Sequence, residues 1–242
     1  MMPDSSLKKE EKVGLYLILI GVQGAGKGEQ ARILSSEYGI PHVSTGDLFR
    51  AMKTRTDPFA RQIQETMAAG KLIDDATTNE VVRERLSQPD AEGGAILDGY
   101  PRTPAQAEWF ASFLAQRGEA LRAVILFELD LFMAFKRAFG RVSTPDDSKS
   151  YNIYYNSAGM DWAFEDHPQQ AYPPRLVASV GGMALKRRPD DANAHAIIKR
   201  IDSFLEQTAP LIDHYQKQGL LHVVDAAQSI ADVSACVRQI IG

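Results

Sequence analysis

Cysteine is nearly absent from this 242-residue chain: one thiol, Cys236, is all it has. That excludes an internal disulfide and any multi-cysteine zinc cluster, and it fits a reducing compartment. Cys236 itself reads as a small buried residue. The five histidines, His42, His167, His195, His214 and His222, fall at no spacing that suits a metal, so they read as packing or surface residues. Excess positive charge is missing too. A formal net charge of -4 argues against a protein that coats nucleic acid or an anionic membrane, so any anion site must be local. No apolar run is long enough for a membrane span. The first, Leu15 to Ile20, follows a charged stretch and is too short for a signal h-region, so the chain is expected to be cytoplasmic, with no membrane or nucleic-acid partner.

What is present is a rhythm. Short, almost wholly apolar runs recur between helical patterns: LYLILI from Leu15, AIL from Ala95, AVILFEL from Ala123 and LLHVV from Leu220. Such runs suit a parallel sheet covered on both faces, where neither side of a strand meets water. The fold class is therefore α/β. Hydrophobic residues at 44% and charged residues at 24% suit a globular protein with one sizeable core, and the length allows one domain with small insertions or two modest domains. Two intervals break the rhythm. Residues 44–73 predict short helices rather than another core strand. Residues 140–188, rich in Tyr, Pro, Asp and Gly, lose helical periodicity and are too long for a simple loop, which predicts a small subdomain or lid.

The strongest local signal follows the first apolar run: Gly21-Val-Gln-Gly24-Ala25-Gly26-Lys27-Gly28-Glu29, then good helix formers. A G-x-x-x-x-G-K segment between a buried strand and a helix lets successive backbone N–H groups face phosphate oxygens, because glycine tolerates the required dihedrals. Lys27 adds a point charge for the β- and γ-phosphates. Gly28 stands where many such loops carry a magnesium-binding hydroxyl. Asp98, which ends the run Ala95 to Leu97, is the candidate to hold the ion, directly or through water.

Four further motifs follow in order: STGD with Arg50 three residues on, A-G-K-L, D-G-Y-P-R-T, and T-A-P-L-I near the C-terminus. Together with the phosphate loop they make the chain resemble the adenylate kinases, P-loop nucleoside monophosphate kinases, everywhere except the lid and the first dozen residues. The resemblance implies a five-stranded parallel sheet carrying two insertions. The core would be residues 1–43, 74–139 and 189–242, the monophosphate-binding insertion 44–73 and the lid 140–188. It implies magnesium-dependent, reversible transfer, ATP plus AMP giving two ADP, by a monomer that carries no structural zinc.

The resemblance also assigns residues. ATP would meet Gly24, Ala25, Gly26, Lys27, Gly28 and Glu29, with Arg137, Arg141, Tyr151 and Gln228 around it. AMP would meet Thr45, Arg50, the segment Gly70 to Ile73 with Lys71 and Leu72, Gly99, Tyr100, Pro101, Arg102 and Gln106. Arg188 and Arg200 would approach the transferring phosphate from the AMP side. Lys27, Arg50, Arg102, Arg141, Arg188 and Arg200 form the catalytic set. So many cations suit the reaction, since phosphoryl transfer asks for positioning, charge neutralisation and exclusion of water. Thr45 and Gln106 resemble an adenine-reading pair; the related uridylate and cytidylate kinases usually carry Ala and Asn there.

The chain departs from the family's pattern in places. Glu29 stands where Thr is usual and could repel ATP unless it turns away or ligates magnesium. Gln23 replaces a proline, and Val142 follows Arg141 where many relatives have a second arginine. The segment RRPDDANAHAIIKR is one residue longer than usual, leaving Arg187 and Arg188 as alternatives for one role. Without lid cysteines, Tyr151, Tyr154, Tyr155, Trp162 and Phe164 are expected to form the lid's small core. A kinase for another monophosphate such as UMP or CMP, or a nucleotide-binding module with weak or lost catalysis, would carry much the same signature.

Overall fold

The computed structural model describes residues 14–68, 73–167, 170–187, 191 and 193–242. Its centre is a five-stranded sheet. Strands β1 (Leu15–Ile20), β2 (His42–Ser44), β3 (Gly94–Asp98), β4 (Leu121–Glu128) and a C-terminal strand Leu221–Asp225 lie in the order C-terminal strand, β4, β1, β3, β2, all parallel. β1 sits in the middle, buried along nearly its whole length. Four of these strands coincide with the apolar runs. The fifth, β2, is three residues at the sheet edge with only Val43 fully buried, too short to declare itself in the sequence.

Alternation along the strands builds two cores. Leu17 and Leu19 of β1 face one side, joined by Ala31 and Leu34 of α1 (Lys27–Tyr38) and by Ile197, Ile201, Val233 and Val237 further on. Tyr16, Ile18 and Ile20 face the other. There they meet Val82 and Leu86 of an Asp75–Leu86 helix, and Phe110 and Leu114 of a Pro104–Gln116 helix. Each fully buried aliphatic side chain contributes about 1.5–3 kcal/mol of transfer energy, so truncating Ile18 would cost about 2–5 kcal/mol. Among the described residues no helix is long and apolar enough to cross a membrane.

The interval after β2 forms two helices, α2 (Thr45–Met52) and α3 (Pro58–Ala68), which bury Met52, Ala60 and Ile63 against Val81 of α4, the Asp75–Leu86 helix. Ser44 caps α2 by accepting from Asp47 N–H at 3.3 Å, and Asp74 caps α4 by accepting from Thr77 N–H at 2.7 Å. A tight 3₁₀ turn over Pro89–Ala91 then leads into β3. After α5 (Pro104–Gln116) and β4 comes α6 (Leu131–Phe139), and its last residue is followed by Gly140, where a Cβ would lie 2.6 Å from the Tyr154 ring.

The second interval is β-structured. β5 (Arg141–Ser143) pairs antiparallel with β6 (Ser150–Asn152), and β7 (Met160–His167), β8 (Gln170–Val180) and β9 (Met183–Ala184) form a second antiparallel sheet. Its small core differs from the aromatic one expected. Val142, Ile153, Met160 and Leu176 are the buried residues, with Tyr151 packed half-buried against them. Trp162 and Phe164 are 41% and 42% exposed, and Tyr154 and Tyr155 are exposed as well. The cause is hairpin geometry. Trp162 and Phe164 share a face with Met160, but the β7–β8 ribbon carries them outward, where Trp162 meets Tyr154 edge-on and Phe164 meets Phe139 at a tilt instead of being enclosed. A polar knot completes the lid: Ser143 donates to Asp147 at 2.8 Å, Thr144 to Asp146 at 2.5 Å, and Lys186 to Asp147 at 2.7 Å. Three hydrogen bonds, from Thr144 Oγ1 and from the Ser148 N–H and hydroxyl, pull the Asp146 carboxyl down to about 2.

The chain returns through α7 (Ala194–Ser203), a π-helical stretch Phe204–Thr208 and α8 (Pro210–Lys217) to β10 (Leu221–Asp225) and α9 (Ile230–Ile241). Cys236 lies on α9 half-buried, not fully enclosed as its small apolar character had implied.

Candidate active site

All five parallel strands end on the same edge of the sheet, and the candidate residues gather there. The phosphate loop leaves β1 at Gly21. A Cβ at Gly24, whose φ is 87°, would come 2.5 Å from the Ala134 carbonyl oxygen of α6, so only glycine lets the loop pass that closely. Gly26, at φ 88°, is the N-cap of α1. Lys27 begins the helix and folds its ammonium back over the loop, donating to the Gly21 carbonyl at 2.6 Å and the Val22 carbonyl at 3.2 Å. Desolvation lowers its pKa; the charge of Asp98 pulls the other way, and Arg141, Arg200 and Arg102 add to the depression. Cations from three separate parts of the chain thus act on a single ammonium.

Asp98 ends β3 as the sequence indicated. Burial raises its pKa, but the nearby His42 ring and the charge of Lys27 outweigh that, so the carboxyl sits below its ordinary value and stays ionised. His42, one strand over on β2, has its Nε2 3.4 Å from Asp98 Oδ2. A Cβ at Gly28 would lie 3.6 Å from the same oxygen, in ordinary van der Waals contact with it, so the glycine keeps side-chain atoms off that face of the carboxylate. An ionised carboxylate oxygen is the ligand type that a hard divalent cation takes. No cluster of three or more metal-ligating side chains occurs among the described residues.

Glu29 lies in the first turn of α1 and pairs with the exposed Arg32 of the same helix. Gln23, in the loop, donates from Nε2 to the Ile197 carbonyl of α7 at 3.0 Å and so ties the loop to that helix.

Arg141 of the lid and Arg200 of α7 converge on Asp191, an acid that no motif marked. Asp191 has no solvent exposure and accepts from Arg141 Nε at 2.8 Å, while Arg200 Nη1 lies 3.3 Å from its other oxygen. Arg188 lies outside the described residues. Arg187 is accounted for: it donates to the Phe139 carbonyl at 2.7 Å and its guanidinium stacks 4.5 Å from the Phe139 ring centre. Arg137 donates to the Ala226 carbonyl at 2.8 Å and stacks on Tyr155 at 5.4 Å. Gln228, two residues beyond Ala226, is exposed and leans toward Asp225.

The other wall comes from α2, α4 and the turn after β3. Thr45 is buried and donates to the Gly99 carbonyl at 2.8 Å. At Gly99, with φ 76°, a Cβ would press 3.1 Å from Thr45 Oγ1 and 3.4 Å from Arg102 Nη2, so this turn requires glycine. Tyr100 is buried with its hydroxyl donating to Asn79 at 2.6 Å, and Pro101, joined to it by a cis bond, is buried too. Arg102 folds Nε onto the Gly99 carbonyl at 2.9 Å. Arg50 reaches outward and pairs with Asp47 on its own helix. Ile73 packs half-buried against the α2–α3 core, whereas Lys71 and Leu72 lie outside the described residues. Gln106, buried in the first turn of α5, is held by Asp75 and by the Arg102 backbone. Asp75, Asn79 and Asp191 carry no motif of their own; only the pair of acids in RRPDDAN hinted at one of them.

The model of the adenylate kinase family matches residues 19–220. An adenylate kinase of Moorella thermoacetica is 39% identical over 228 residues, covering 94% of this chain and 98% of that protein. Adenylate kinases of Symbiobacterium thermophilum and Listeria monocytogenes are each 37% identical, covering 93% and 94% of this chain and 97% and 99% of theirs.

Proposed function

Because this chain belongs to the adenylate kinase family, we propose that it transfers the terminal phosphoryl group of ATP to AMP, reversibly, giving two ADP. The observation that carries the reading is the convergence of Lys27, Arg102, Arg141 and Arg200 on the edge of the sheet where Asp98 stands. A transferring phosphoryl group spreads charge over three oxygens, and cations fixed in advance around it lower the barrier without reorganising.

The α1 N-terminus and the loop's N–H groups bind the β- and γ-phosphates, with Lys27 as their counter-charge. Arg102, and Arg50 once released from Asp47, clamp the phosphate of AMP. An oxygen of that phosphate attacks the γ-phosphorus in line. The new P–O bond forms as the bond to the β–γ bridging oxygen breaks, and ADP leaves with that electron pair. Arg141 and Arg200, oriented by Asp191, take up the equatorial charge. The lid keeps water, a competing nucleophile, away from the γ-phosphate. Magnesium, held through water near Asp98, would neutralise β- and γ-phosphate charge. Thr45 and Gln106 are the adenine-reading pair of this proposal.

A coupled assay of ADP formation, with AMP, UMP, CMP and GMP as separate acceptors and with magnesium present or chelated, tests it. Magnesium-dependent turnover on AMP is the expected result. Preference for UMP or CMP would replace the substrate, and ATP binding with no turnover on any acceptor would reduce the protein to a nucleotide-binding module.

A further inference from the structure

Gln106 is only 4% exposed, and both ends of its side-chain amide are already engaged. Its Oε1 accepts from the backbone N–H of Arg102 at 2.7 Å, and its Nε2 donates to Asp75 Oδ1 at 2.7 Å. A backbone N–H can only donate and an ionised carboxylate can only accept, so these two partners dictate which way round the amide sits. Turning it over would set N–H against N–H and oxygen against carboxylate. Asp75 is fixed in turn: its other oxygen accepts from Thr103 Oγ1 at 2.8 Å, and that hydroxyl also caps α5 by accepting from Gln106 N–H at 3.2 Å. Asp75 is not needed to cap its own helix, since Asp74 does that.

With these bonds made, the Gln106 amide keeps one N–H and one acceptor lone pair, with oxygen and nitrogen in a fixed order. Adenine presents an amino donor beside a ring-nitrogen acceptor. A 6-oxopurine presents an acceptor where adenine has the amino group, and would be read only by an inverted amide. We propose that Asp75 is a specificity-determining positioning residue: by locking the orientation of the Gln106 amide it makes the acceptor site read adenine and refuse a 6-oxopurine monophosphate. This rests on the reading of the site as one that binds AMP.

The test compares AMP with IMP, which carries the 6-oxo group without guanine's additional amino group, in wild type, Asp75→Asn, Asp75→Glu and Asp74→Asn. Both kcat/KM and equilibrium binding are measured. An asparagine can donate as well as accept, so it removes one of the two partners that oppose the inverted amide and leaves only the Arg102 N–H to hold the order. Asp75→Asn is expected to lower the AMP-to-IMP ratio at least about tenfold, through loss on AMP and gain on IMP. Asp75→Glu, which keeps an obligate acceptor, is expected to hold most of the wild-type ratio. Asp74→Asn is expected to weaken α4 with the ratio unchanged. A ratio that survives Asp75→Asn, or falls as far in Asp74→Asn, overturns the proposal. Should Asp75→Asn not fold, Thr103→Ala, which frees one oxygen of Asp75, must shift the ratio the same way, and an unchanged ratio overturns the proposal there. If wild type binds AMP over IMP but transfers nothing, the reaction proposed above fails while the binding ratios still decide the role of Asp75. If wild type binds both equally, the proposal for Asp75 falls.

Discussion

Arg141 and Asp191 stand fifty residues apart in the chain and meet at 2.8 Å, the carboxylate with no solvent exposure and the guanidinium mostly covered. The arginine opens the lid and the acid lies on the return from it, so their bond closes the lid's base. Arg200 shares the same carboxylate. Removing one member of such a buried pair leaves charge uncompensated. Asp191→Ala should cost about 3–5 kcal/mol in chemical denaturation. Because two cations lose their orientation together, it should also lower kcat more than it raises the KM for ATP. Equal effects on the two parameters would mean that Asp191 supports binding alone.

Lys27 carries a pH signature. Its pKa lies below the ordinary 10.5 in the folded protein because of desolvation, with Asp98 opposing. Between the depressed value and 10.5 the unfolded chain binds more protons than the folded one, so this group makes stability rise with pH across that window. At neutral pH the buried charge is a cost. Lys27→Met should lack the alkaline rise in denaturation midpoint relative to wild type, and should lose about 10²-fold or more in turnover. Parallel stability curves for the two proteins would contradict the assignment.

Glu29 raised the question of repulsion toward ATP, and in the structure its carboxylate pairs with Arg32 one turn along α1. Glu29→Thr should therefore leave the KM for ATP within about twofold of wild type. Arg32→Ala, which frees the carboxylate, should raise that KM more, by about fivefold at most at low salt, and added salt should shrink the effect. A marked fall in KM for Glu29→Thr would mean the carboxylate does face the phosphates.

The lid's core predicts an inverted ranking of side-chain size. Ile153 is 4% exposed and Trp162 41%. Ile153→Ala should destabilise the lid by about 2–4 kcal/mol, read as lost hydrogen-exchange protection across β5 to β9. Trp162→Ala, though it removes far more atoms, should cost less. Equal losses would place Trp162 in the core after all.

Much of the core was legible because its signals are local. A strand buried on both faces must be apolar throughout, which is why Leu15–Ile20 and the stretch ending at Asp98 stood out. Gly24 is demanded by positive φ and close backbone approach and Gly26 by positive φ, so the phosphate loop announced itself. The three-residue edge strand at Val43 was too short to show a pattern.

The sequence by itself determined the strand–loop–helix cradle around Lys27, the acid that closes β3 and the places where insertions interrupt the core, because burial and backbone conformation impose residue types within a few positions. The tertiary structure alone decided which charges meet. Asp75 finds Gln106 across 31 residues and Asp191 finds Arg141 across 50, and Trp162 and Phe164 lie outside the lid's core because of where a β-ribbon carries them. Any carboxylate can accept from any donor that topology brings within reach, so no local pattern records the choice.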